Sequence, residues 1–224
     1  MAELRRQYRD QLAALEDRVL VMGNQAQRML DEAMRALADR DRDAAHAVLR
    51  ADERIDAQYR AVQDGVFTAL ALQGPVATEL RLVAALIHCD LHLKRIGDLC
   101  VNIAHAALHD AEQETDPEMV AQLRDMGIHA GRAIGKTLEA FTRRDASLAR
   151  TLPDLDDPID QLNRAIFRRA VTWAAGDETR LDWVLRMVLV ARYLERIGDH
   201  AVEIADQTLF VVTGDSRGLD SPPA

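Results

Sequence analysis

Lys94-Arg95-Ile96-Gly97-Asp98 and Glu195-Arg196-Ile197-Gly198-Asp199 decide how this chain folds, because they are one pattern written twice, 101 residues apart. Each copy follows a leucine, Leu93 or Leu194, and leads to an Ile-Ala pair, Ile103-Ala104 or Ile204-Ala205. Upstream, Met22 to Asp56 matches Met126 to Asp160 at a constant offset of 104. Met22-Gly23 aligns with Met126-Gly127, Arg40-Asp41 with Arg144-Asp145, and Asp52-x-x-Ile55-Asp56 with Asp156-x-x-Ile159-Asp160. A period of about 100 residues is too long for a solenoid repeat and implies two similar halves. Function is therefore sought in what both halves keep.

The surroundings of the motif are helical. Aromatic residues make up 4% of the 224 residues, and Gly and Pro are sparse. Ala, Leu, Arg, Asp and Glu dominate, which favours helices over sheet. The predicted fold is all-α: two tandem, pseudo-symmetric three-helix bundles, six helices in all, spanning 1–110 and 116–213, with a disordered tail at 214–224. The first helix, about 4–39, carries Leu12, Leu15, Val19, Met22, Ala26, Met29, Ala33 and Leu37 on one stripe. The second, about 44–72, turns Val48, Ile55, Tyr59, Val62, Val66 and Leu70 inward and ends at Gly74-Pro75. The third runs to His109, and 110–114 reads as an acidic linker. Asp116-Pro117-Glu118 is a helix start, an N-cap followed by Pro at the first helical position. A fourth helix to about 144, a fifth to about 175 that bends or restarts around 154–158, and a sixth over 178–212 complete the second half.

Charge and composition narrow the function. A net charge of -9 opposes a nucleic-acid partner, whose phosphates are gripped by clustered Lys and Arg. The first residues lack the apolar run of a signal peptide, and no stretch reaches the roughly 18 to 20 apolar residues of a membrane span, so a cytoplasmic location is expected. Cys89 and Cys100 lie about 16 Å apart along one predicted helix, too far to bridge. No phosphate-cradling Gly-rich loop, Ser-His-Asp order or Cys-His pair occurs, and no enzyme is expected.

On the last helix the core stripe is Met187, Val190, Leu194, Ile197, Ala201 and Ile204. Glu195, Asp199, Glu203 and Asp206 fall together on another face. Acids at i and i+4 repel unless something positive sits between them, so this ladder invites a cation or a basic partner. The preceding helix adds Asp156 and Asp160, one turn apart. Paired carboxylates from facing helices are how bundles hold metals. A solvated acidic surface is the ordinary reading of one such pair, and its recurrence in both halves weighs against that reading.

These features together resemble the PhoU family, regulators of bacterial phosphate uptake. The likeness rests on 93–98 with 102–104, on 194–200 with 203–205, and on the turn Leu70-Ala71-Leu72-Gln73-Gly74-Pro75-Val76-Ala77 followed by Glu79-Leu80-Arg81. The resemblance implies Glu or Asp-x-x-x-Asp motifs that hold multinuclear metal clusters, with iron, zinc or manganese as candidate divalent or trivalent ions. It also implies a homodimer that contacts a phosphate ABC transporter and a sensor histidine kinase to repress the phosphate-starvation response.

Two departures from the family pattern predict asymmetry. Lys94 stands where such proteins carry Glu, one turn from Asp90 and Asp98, and Glu203 stands where they carry the Asn seen here as Asn102. The second half, with Asp156, Asp160, Glu195, Asp199 and Glu203, is expected to bind metal. Asp52, Asp56, Asp98 and Asn102 are expected to bind it weakly or to be held by a Lys94 salt bridge. His88 and His92 have chelating spacing but lack a third ligand. Arg95 and Arg196 read as ion-pair partners of nearby acids. Gly97 and Gly198, each costing about 1 kcal/mol in a helix, point to close helix packing. The competing readings are a carboxylate-bridged metal enzyme and a metal-free helical adaptor. Acids off the core stripe, and motif helices without Glu-x-x-His, argue against the enzyme.

Overall fold

A computed structural model describes residues 2–72, 74–109, 114–215 and 219. Positions 110–113 of the expected linker and 216–218 and 220–224 of the expected tail lie outside the described residues. The helices are α1 (Ala2–Asp39), α2 (Arg42–Leu72), α3 (Ala77–His109), α4 (Pro117–Arg143), a single turn α5 (Ala146–Ala149), α6 (Leu152–Trp173) and α7 (Leu181–Thr213). No strand occurs among the described residues. α1 packs on α2 and α3, and α4 packs on α6 and α7. The halves meet where α3 lies on α7 and α1 on α4, and one hydrophobic core runs through both.

The repeated Arg-Asp pairs are the hinges between first and second helices. Arg40 and Arg144 both take the left-handed conformation, φ 55° and 54°, that ends a helix. The following aspartate then starts the next one. Asp41 accepts the N–H of Ala44 at 3.0 Å, and Asp145 accepts those of Ser147 and Leu148 at 2.9 and 3.0 Å. Asp116 caps α4 through the N–H of Glu118 and also takes a bidentate Arg169 guanidinium at 2.5 and 2.8 Å.

The predicted stripes of α1 and α7 are buried throughout. Three expectations need correction. Leu70 is exposed, because Ala69 turns inward one residue earlier. Of the bend or restart expected around 154–158, the structure shows a restart, a few residues earlier. The turn α5 is followed by a fresh start at Thr151, where Pro153 occupies the first turn and so has no helical N–H to forfeit. Pro158 lies inside α6, where its ring costs the Asp154 carbonyl its partner. Finally, Glu178–Arg180 forms a 3₁₀ turn and α7 begins at Leu181, with Asp177 capping the turn through Thr179.

Candidate functional site

In the first half α2 and α3 bring Asp52, Asp56 and Asp98 around one ammonium. Lys94 Nζ lies 3.2, 2.6 and 2.6 Å from their carboxylates, and its side chain is 19% exposed. Burial alone would lower the Lys94 ammonium, but hydrogen bonds to Asp56, Asp98 and Asp52 outweigh it and raise it above the ordinary lysine value. The fixed cation thus fills the space between the two helices. Asp90 does not take part. It is fully buried, accepts from Gln63 Nε2 at 2.9 Å, and burial pushes its carboxyl up to about 7. Asn102, one turn beyond Asp98 on α3, is exposed.

The second half has the same frame with Glu195 in the lysine's place. α6 brings Asp156 and Asp160 against Glu195 and Asp199 of α7. Burial, followed by the charges of Asp199, Asp160 and Glu195, pushes Asp156 up to about 7. Burial and the charge of Asp199 also raise Glu195, and burial and Asp160 raise Asp199. Arg192 pairs with Glu195 from the rim, and Arg164 reaches Asp160 at 3.5 Å. Even so, Asp156 Oδ1 and Glu195 Oε2 are buried without a hydrogen-bond partner. Unpaired buried carboxylate oxygens are costly, and like charges this near raise the cost. Glu203 is exposed on the same side of α7, and its charge acts on Asp199. Asp206 is drawn away, accepting the N–H of Leu219 at 2.7 Å.

Gly97 and Gly198 let the acidic helix approach. A Cβ on Gly97 would meet Ile55 Cδ1 at 3.1 Å and Asp52 Oδ1 at 3.9 Å. A Cβ on Gly198 would collide with Asp156 Oδ1 and meet Ile159 Cδ1 at 2.9 Å. The repeated Ile-Gly-Asp is therefore a packing device that seats an aspartate of the preceding helix, Asp52 on α2 or Asp156 on α6, against the motif helix of its own bundle.

Among the described residues no three His, Cys, Asp or Glu side chains stand in ready metal-ligating geometry. The donor chemistry of the second half nevertheless fits an oxygen-preferring cation, since two carboxylate oxygens there are buried and unsatisfied. Asp156, Asp160, Glu195 and Asp199 are the residues that would hold it, with Glu203 at the edge. The first-half set does not offer the same fit, because its carboxylates already share Lys94.

Where α3 crosses α7, His92 Nδ1 faces His200 Nδ1 at 3.1 Å. Sequence reasoning paired His92 with His88 and missed this contact. The signal was the recurrence of the motif on two helices, but only their packing shows that the motif helices touch.

A PhoU domain pattern matches residues 19–107 and 123–208, most of the chain and once in each half. The chain belongs to the PhoU family. It is 32% identical over 215 residues to the phosphate-specific transport system accessory protein PhoU homolog of Caulobacter vibrioides, covering 96% of this chain and 94% of that one. The Pseudomonas aeruginosa homolog of the same name is 30% identical over 208 residues, 93% of this chain and 86% of that one. The crystal structure of PhoU from Pseudomonas aeruginosa superposes with a TM-score of 0.89 at 29% identity, covering 93% of this chain and all of that one. That of the PhoU phosphate transport system regulatory protein from Streptococcus pneumoniae gives 0.85 at 26%, covering 93% and 98%. Similarity across nearly the full length places both repeats within the PhoU frame. No helix among the described residues is long and apolar enough to cross a membrane.

Proposed function

We propose that this PhoU protein is an accessory regulator of phosphate uptake whose second half holds a metal ion and whose first half uses Lys94 in its stead. The observation that carries the metal reading is the contrast between the two acidic groups. One encloses an ammonium, and the other, with the same backbone frame, leaves Asp156 Oδ1 and Glu195 Oε2 buried and unsatisfied. A carboxylate-lined site accepts iron, manganese, zinc or magnesium. The names of its relatives support a place beside a phosphate transporter. In this reading a cytoplasmic homodimer links a phosphate ABC transporter to a sensor histidine kinase and represses the starvation response without catalysing a reaction.

The test is the metal content of tag-free protein purified without chelator, beside a Glu195→Ala, Asp199→Ala double variant. Metal present in the first and absent from the second supports the reading. A metal-free wild type that also refuses iron, zinc and manganese removes the metal from it. Regulation is tested by a phosphate-starvation reporter in cells that lack the protein. High-phosphate expression of the reporter should rise on deletion and fall again on complementation.

A further inference from the structure

We propose a second metal site of different chemistry, built by His92 and His200 where the two halves meet, that takes a borderline transition metal such as zinc. It goes beyond the proposed function and does not depend on it. The two Nδ1 atoms are 3.1 Å apart, one from each motif helix. Two imidazole nitrogens bound to one tetrahedral zinc at about 2.0–2.1 Å lie about 3.3 Å from each other, so the pair already has nearly the spacing that shared ligation requires. The rings are tilted by 52° and not stacked face to face, their centroids 5.2 Å apart, so both Nδ1 atoms can address one point once the proton between them is displaced.

As the chain stands, one Nδ1 donates to the other and His200 Nε2 is buried without a partner; a metal shared by the two Nδ1 atoms would displace the proton between them and leave Nε2 as an N–H. Imidazole suits zinc, copper, nickel and iron, whereas the acidic cluster on the neighbouring face offers oxygen only. Two further donors are close. His88 stands one turn before His92 on α3, and both it and Glu203 of α7 act electrostatically on His92. Among the described residues no three such side chains are in ligating geometry, so His88 or Glu203 must rotate to complete the site, with water filling what remains. Arg95 and Arg196 act on His200 and oppose a cation. Arg95 lies 3.7 Å from Asp98, which takes up part of its charge, and Glu203 acts in the opposite sense on His92. A metal held here would pin α3 to α7, joining the halves through the same two helices that carry the acidic motifs.

The full chain carrying Asp156→Asn and Glu195→Gln, which silence the oxygen-donor cluster, is loaded with one equivalent of Zn²⁺ and studied by X-ray absorption at the zinc edge. The expected spectrum shows the outer-shell scattering of two imidazoles. His92→Gln or His200→Gln should each remove that signature and weaken Zn²⁺ binding by at least about tenfold, since losing even an outer-shell partner of a ligand costs roughly 10- to 100-fold. A shell of oxygen ligands alone, or an affinity that both histidine changes leave intact, overturns the proposal and makes the pair a packing contact. The spectrum of the chain with both histidines present decides the question even if a histidine variant fails to fold. Because the acidic cluster is silenced throughout, failure of that cluster to bind metal is read separately, in wild type.

Discussion

Gly198 lies directly against Asp156: a Cβ built on the glycine would collide with the carboxylate Oδ1, whereas the equivalent Cβ on Gly97 stays 3.9 Å from Asp52 Oδ1. The two halves therefore share a device but set it to different tightness. Gly198→Ala must displace both Asp156 and Ile159, and overpacking of that kind costs about 1–3 kcal/mol, more than the roughly 1 kcal/mol that alanine gains in helix propensity. Gly97→Ala meets the end of the Ile55 side chain at 3.1 Å, which can shift a few tenths of an ångström. Urea unfolding should show a net loss for Gly198→Ala and a change within about 1 kcal/mol of zero for Gly97→Ala. Metal uptake by the second half should fall only in the former.

Lys94 invites a matching experiment. Lys94→Glu restores in the first half the acid found at Glu195 and removes the ammonium that Asp52, Asp56 and Asp98 share. In the absence of metal the variant should lose about 1–3 kcal/mol, the cost of leaving partly buried acids unpaired after allowance for their solvent access. Metal titration should then find additional bound ion relative to wild type, and added metal should recover part of the lost stability. A titration identical to wild type would show that the lysine does not keep metal out.

Much of this arrangement was legible in the residues. The duplication, the core stripes of α1 and α7 and the place of Lys94 beside Asp98 all follow from helical periodicity, because i and i+4 neighbours are fixed by the helix itself. The Arg-Asp repeat was visible as a match, and its meaning as a left-handed helix end followed by a cap came from φ at Arg40 and Arg144. Leu70 misled because a stripe read at three- and four-residue spacing drifts near a helix end, where Ala69 fits the core instead. His92 and His200, 108 residues apart, belong to no local pattern. Their meeting depends on how α3 crosses α7. Asp90 was read as a neighbour of Lys94, since one turn separates them, but its side chain turns into the core towards Gln63.

That buried aspartate sets a pH dependence separable from both acidic clusters. Burial raises the Asp90 carboxyl from 3.8 to about 7, against the lowering effect of the Gln63 hydrogen bond, and Oδ1 has no partner. Between these values the folded chain holds a proton that the unfolded chain has released, so stability decreases as pH rises. Its contribution is fully present below pH 3.8, is lost as pH rises through about 7, and is flat above that. One proton gives a slope of up to about 1.4 kcal/mol per pH unit within the window. Asp90→Asn keeps the shape and an acceptor for Gln63 but has no charge to bury. The difference in unfolding free energy between the variant and wild type, measured in chelator from pH 4 to 8, should therefore grow in the variant's favour with pH and level off near 7. A constant difference across that range would mean that Asp90 is already ionised in the fold at low pH, with water or a rearranged neighbour satisfying its second oxygen.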